Sequence, residues 1–231
     1  MFPGSGKRTR RLLLTGLFTG TIGIFLLLTF QLLAALPRGF RIGGRGLGIV
    51  IFLVLHLIGY SYRCASDPDI GFWGSFFGFT VGVGLCEELC KALPIWYYLV
   101  NARKTGWRGA CLVGLASGIG FGVSEGIMYS GDMYNGIYGI QIYLVRFLSC
   151  VSLHAMWSGS VALMMYKNQD FLDVEGIVGF IVGIGYYLGA VMILHGLYDT
   201  LLKHELPYVA LLIGFGSYFW LFKLVADSRG T

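Results

Sequence analysis

Residues 72–100 read FWGSFFGFTVGVGLCEELCKALPIWYYLV, an apolar run interrupted by three charges, Glu87, Glu88 and Lys91. At about 1.5 Å per helical residue such a run crosses about 30 Å of hydrocarbon with length to spare. Comparable runs lie on either side, at about 12–36, 46–62, 109–130, 139–166, 176–201 and 207–225, separated by polar or Gly/Pro breaks. The expected fold is therefore all-α, a polytopic transmembrane helix bundle of about seven spans, within a range of six to eight. The chain reads as a single membrane domain, residues 1–231, whose functional core lies within 72–202.

Composition agrees. Hydrophobic residues make up 56% of the 231 and charged ones 13%, about half the share usual in a water-soluble domain. The formal net charge of +5 does not point to nucleic acid, because the basic residues are scattered through short connections. Arg38, Arg41 and Arg45, then Arg103, Lys104 and Arg108, then Lys167, Lys223 and Arg229 would share one side, cytoplasmic by the positive-inside rule. Strict alternation of seven spans would put the basic N-terminus, Lys7 to Arg11, on the opposite side, in conflict with that rule, so one early segment is expected to be miscounted or not to cross. Residues 12–36 follow those charges as the apolar part of a signal peptide would, but they are too long for one and read as a retained span. The five cysteines, Cys64, Cys86, Cys90, Cys111 and Cys150, are odd in number and mostly within apolar runs, so no disulfide framework is expected. A multi-pass protein of the cell membrane, with the lipid bilayer as its surroundings, is the expected setting.

Glycine is placed in ridges. Gly74, Gly78 and Gly82 recur every four residues and are continued by Cys86 and Cys90, while Gly114, Gly118, Gly122 and Gly126 form a second ridge. Such stripes let helix backbones approach closely. Glu87 follows Cys86 and Glu125 precedes Gly126, so contact between the two ridges would bring the carboxylates together. Cys86 and Cys90 themselves read as small packing residues.

Charge inside a span costs roughly 2.5–3.5 kcal/mol per residue on insertion scales, so each intramembrane charge is a functional candidate. Glu87, Glu88 and Lys91 lie on the third span, Glu125 on the fourth, Arg146 and His154 on the fifth, and His195 and Asp199 on the sixth. Counted from the loops, Glu88, Glu125, His154 and His195 fall in one layer about 10 Å thick. Clustered carboxylates in a low dielectric cannot all ionise cheaply, so one should hold a proton while another stays charged with help from Lys91. That provides an acid and a base, with two imidazoles as oxyanion stabilisers. Two Glu and two His, namely Glu88, Glu125, His154 and His195, also suit a divalent metal such as zinc. Plainer readings exist: Glu87 or Glu88 with Lys91 as a buried ion pair, His195 with Asp199 as a hydrogen bond along one helix, His154 as a packing histidine. Arg146, Asp132, Glu175 and Glu205 read as loop or interface charges, His56 and His204 lie off the layer, and Trp73, Trp107 and Trp220 read as interfacial belts.

At these residues the sequence resembles the PrsW family of intramembrane proteases, related to the CAAX-prenyl endopeptidase superfamily. The resemblance rests on Glu87-Glu88-Leu-Cys-Lys91, Phe121-Gly-Val-Ser-Glu125, His154-Ala-Met-Trp-Ser158 and His195-Gly-Leu-Tyr-Asp199, in order over residues 72–202. It implies a helical membrane protease with Glu87, Glu88, Glu125, His154 and His195 at the site and Lys91, Asp199 and Ser158 in support. Membrane-anchored protein substrates such as anti-sigma factors would be cut near the extracytoplasmic face, through glutamate alone or through a metal. Gly126 departs from the Asn often found after the second-motif Glu. The leading expectation makes Glu88 base or metal ligand, Glu125 its partner, His154 and His195 ligands or oxyanion stabilisers, with Glu87 and Lys91 setting the local charge. The competing expectations are a proton-coupled transporter, since carboxylate and histidine chains also relay protons, and a noncatalytic scaffold of the same superfamily.

Overall fold

The computed structural model of the protein describes residues 5–35, 47–101, 106–132, 140–168 and 182–230. Among the described residues there are seven helical rods and no strand. They are α1 (5–34), α2 (Leu47–Ser66), α3 (72–101), α4 (Trp107–Asp132), α5 (Ile140–Lys167), α6 (182–203) and α7 (Pro207–Asp227), so each expected span meets one rod. The expectations for Arg38, Arg41, Arg45, Arg103, Lys104 and Glu175 lie outside the described residues, as do the side chains of Asp132 and Arg146.

Long apolar runs make the helices, because in lipid the backbone must satisfy its own polar groups. Pro207 opens α7 at a position where its missing N–H is no loss. Among the described residues, four stretches are long and apolar enough to cross a bilayer by length and composition: Arg8–Leu33, Gly48–Ser66, Trp107–Ile127 and Pro207–Asp227. The charges and histidines of the site fall mainly on the other three rods, α3, α5 and α6, which with α4 build the main buried cluster around Ile95, Leu99, Val113, Trp157, Val161 and Val191. α7 turns most of its surface outward, with Leu212, Phe215 and Phe219 exposed as lipid-facing side chains. Trp220 of α7 is partly buried and packs against the main cluster.

The glycine ridges pack closely, but not against each other. A Cβ at Gly82 would lie 3.0 Å from Ser61 Cβ, and one at Gly78 2.7 Å from the Ser61 carbonyl, so the α3 ridge receives α2. The α4 ridge receives α5: a Cβ at Gly114 would lie 2.7 Å from Ala162 Cβ, one at Gly122 2.8 Å from Val151 Cα, and one at Gly118 would collide with the His154 carbonyl. α3 and α4 still meet directly, with Ser117 Oγ of α4 donating to the Lys91 carbonyl of α3 at 2.8 Å, but through faces other than the two glycine ridges. A third close approach joins α6 to α3, where Gly196 abuts Thr80 within a π-type turn, Gly78–Gly84. Wider turns of this kind re-aim the side chains that follow and are common at functional sites; here Glu87 and Glu88 come next.

Contacts along the rods give their directions. Gly16 faces Ala116 and Gly20 faces Gly120 and Ser124, so α1 runs parallel to α4. α2 and α3 are antiparallel, as are α3 with α4, α4 with α5, and α5 with α6, while α7 runs parallel to α5, with Trp157 on Ser217 and Lys167 4.0 Å from Asp227. The start of α1 with Arg8, Arg10 and Arg11 thus shares a side with Arg108, Lys167 and the end of α7. The conflict with the positive-inside rule is thereby removed, because α1 and α2 run in the same direction where strict alternation would oppose them. The other side holds Arg63, Asp67, Asp69 and Lys203, whose ammonium donates to the carbonyls of Ala65 and Asp67 at 3.0 and 2.6 Å.

Candidate active site

Four rods deliver polar groups to one buried cluster. Glu87, Glu88 and Lys91 come from α3, Glu125 from α4, His154 from α5 and His195 from α6. Glu87, Glu88 and Lys91 are each 1% exposed, His154 4% and His195 3%, deep enough that each needs a partner to be tolerated.

The Glu88 and Lys91 side chains form an ion pair, Nζ to Oε1 at 2.6 Å, one helical turn apart. That pair holds both imidazoles by their Nδ1 atoms: Glu88 Oε1 is 3.0 Å from His195 Nδ1, and Lys91 Nζ is 2.7 Å from His154 Nδ1. The Nε2 atoms face the remaining carboxylates. His195 Nε2 is 3.3 Å from Asp199 Oδ2 and 3.6 Å from Glu87 Oε2, while His154 Nε2 is 2.5 Å from Glu125 Oε2. His195 has carboxylate oxygens at both ring nitrogens, Glu88 at Nδ1 and Asp199 and Glu87 at Nε2, so each nitrogen has an acceptor for a proton. The Lys91 ammonium donates to Nδ1 of His154, so His154 donates through Nε2 to Glu125. The two rings approach edge to face with centroids 5.4 Å apart.

Several supporting groups carry no charge and were not singled out in the sequence. Trp157 stacks on His195 with centroids 5.0 Å apart and planes at 27°, and its Nε1–H donates to Ser217 Oγ on α7 at 2.9 Å. Phe121 lies 4.9 Å below Lys91 Nζ, and Ser117 donates to the Lys91 carbonyl at 2.8 Å. Cys150 Sγ lies 3.5 Å from Glu125 Oε2. Trp157 and Phe121 belong to the quoted motifs, but an indole or phenyl in an apolar run carries no signal. Ser158 is buried one turn from His154, and its Oγ has no hydrogen-bond partner. His56 stacks on Phe52, and His204 contacts Ser75 near the rod ends, both apart from the cluster.

Donor atoms of Glu87, His154 and His195 lie within 4.8 Å of one another, and Glu87 Oε2 is buried without a hydrogen-bond partner. Two imidazoles and a carboxylate are a familiar zinc donor set, so these residues fit a divalent metal. Glu88, expected among the ligands, has Oε1 engaged by Lys91 and His195 and belongs to no such group among the described residues. Cys86 and Cys90 also join none, and pack with Ile24, Leu27, Ile58 and Phe121.

Fold and site define an integral membrane helical bundle with a buried carboxylate and imidazole centre shared by four helices. The model of the PrsW family of intramembrane metalloproteases matches residues 13–226, nearly the whole chain, and the protein belongs to that family. No curated protein and no solved structure matches the chain. Intramembrane proteolysis, with membrane-embedded protein substrates, is accordingly the general activity.

Proposed function

We propose that the protein is an endopeptidase that cuts membrane-anchored protein substrates near the extracytoplasmic face of the cell membrane, anti-sigma-factor-like proteins among them. The observation that carries this is the meeting of Glu87, Glu125, His154 and His195 from four helices, with Glu87 Oε2 buried, without a hydrogen bond and 3.6 Å from His195 Nε2. Basic residues at the start of α1 and the ends of α5 and α7 mark the cytoplasmic side by the positive-inside rule. Asp199, with its side chain 26% exposed, lies one turn from His195 toward the opposite side, which favours substrate entry there.

Glu87, His154 and His195 would hold a divalent cation such as zinc. Such an ion supplies Lewis acidity, for activating water near neutral pH and for polarising the scissile carbonyl. Ligation through His154 Nε2 requires that its proton leave by way of Glu125, since metal ligands bind deprotonated. Glu125 is then the anion placed to accept a proton from the attacking water and to return it to the leaving amine. With Nε2 of His195 ligating the ion, its ring proton would sit on Nδ1 and be donated to Glu88, which Lys91 neutralises. The carboxylate behind a ligand imidazole typically affects affinity or activity by about 10- to 100-fold.

The test pairs elemental analysis of purified protein with cleavage of a membrane-anchored peptide. Glu87→Gln should lose both bound metal and activity. Glu125→Gln should retain metal and lose cleavage, and Glu88→Gln should retain some of each. Parent-level cleavage by either Glu87→Gln or Glu125→Gln would refute the assignment.

A further inference from the structure

Cys150 is half-buried while Cys64, Cys86, Cys90 and Cys111 are buried. It stands one helical turn before His154, so both side chains leave the same face of α5. Glycine at position 122 allows α4 to meet that face: a Cβ there would lie 2.8 Å from Val151 Cα and 3.2 Å from His154 Cδ2. The result is a second donor group. Glu125 Oε2 lies 2.5 Å from His154 Nε2 and 3.5 Å from Cys150 Sγ, and donor atoms of all three residues fall within 4.8 Å of one another.

We propose that Glu125, Cys150 and His154 form a second cation position that captures a thiophilic divalent ion, zinc in excess or cadmium, and thereby switches the protease off. Thiolate, imidazole and carboxylate all ligate zinc, and the sulfur biases the position toward soft ions relative to the Glu87, His154 and His195 group. The two positions exclude each other, because one Nε2 lone pair serves one ion. Occupation of the second also engages Glu125, the carboxylate assigned to proton transfer. On binding, the Cys150 thiol and the His154 Nε2 each give up a proton to water, and Sγ, Nε2 and a Glu125 oxygen donate to the ion. The binding claim stands on geometry alone, and the inhibitory consequence rests on the proposed protease function.

Cadmium titration of the detergent-solubilised full chain reads the site directly, through the ultraviolet charge-transfer band of a cadmium thiolate. The parent and Glu87→Gln should both develop the band, while Cys150→Ser and Cys150→Ala should lose it. A parent without the band at saturating cadmium, or a band that persists in both Cys150 variants, overturns the site. In a cleavage assay, excess zinc should slow the parent and leave Cys150→Ser at its own low-zinc rate. Equal inhibition of both overturns the switch while leaving the cadmium result in force. A parent that cleaves nothing counts against the protease reading, and the cadmium comparison still decides the site.

Discussion

Glu88 and Lys91 neutralise each other where neither tolerates being alone. Lys91→Met keeps the shape of the stem but leaves the Glu88 carboxylate uncompensated at 1% exposure, a change that costs about 3–5 kcal/mol for a buried pair. Denaturation in detergent should show that loss. Replacing both, as Glu88→Leu with Lys91→Met, should recover much of the stability, because buried ion pairs exchange for apolar packing at little net cost. Cleavage should stay low in the double variant, since both imidazoles lose their Nδ1 partners. A double variant no more stable than Lys91→Met would contradict the pairing. The charges at this scale were legible from the chain, being anomalies in apolar runs. What separated Glu87 from Glu88 was not, because adjacent residues point about 100° apart on a helix, and only their partners distinguish them.

Helix contacts set the spacing of the site. Gly118 lies under the His154 backbone, so Gly118→Ala must push α5 away from α4 and lengthen the contact between His154 and Glu125. An overpacking loss of about 1–3 kcal/mol and a large drop in cleavage are expected. Gly216→Ala on α7 meets nothing within 4 Å, and should be neutral or stabilise by up to about 1 kcal/mol; thermal unfolding compares the two. Trp157 ties α7 to the His195 ring through Ser217. Trp157→Phe should keep a stacking surface while losing that tether, so kcat should fall more than KM rises. An unchanged kcat would show that the tether is only structural. The glycine ridges were visible at this level as stripes of small residues, but their partners were not, because a stripe says that something packs closely and not which helix does.

Across the whole molecule, the basic end of α1 shares a side with Arg108 and Arg229, and Asp69 lies opposite. Gly6→Cys and Arg229→Cys should therefore react with a membrane-impermeant thiol reagent only in inside-out vesicles. Asp69→Cys should react from the outer face, above the background of the parent's own thiols. Opposite labelling of Gly6→Cys and Arg229→Cys would restore strict alternation of the seven rods.

The chain by itself determined that this is a helical membrane protein and which buried charges and imidazoles stand out as candidates for its chemistry, since both follow from local facts: run length against bilayer thickness, and charge against the cost of burying it. Tertiary structure decided the rest. It put α1 parallel to α2, set Glu88 behind the imidazoles with Lys91, and added Trp157 and Cys150 to the site, because helix direction and side-chain partnership depend on contacts between residues far apart in sequence, where neither periodicity nor composition leaves a trace.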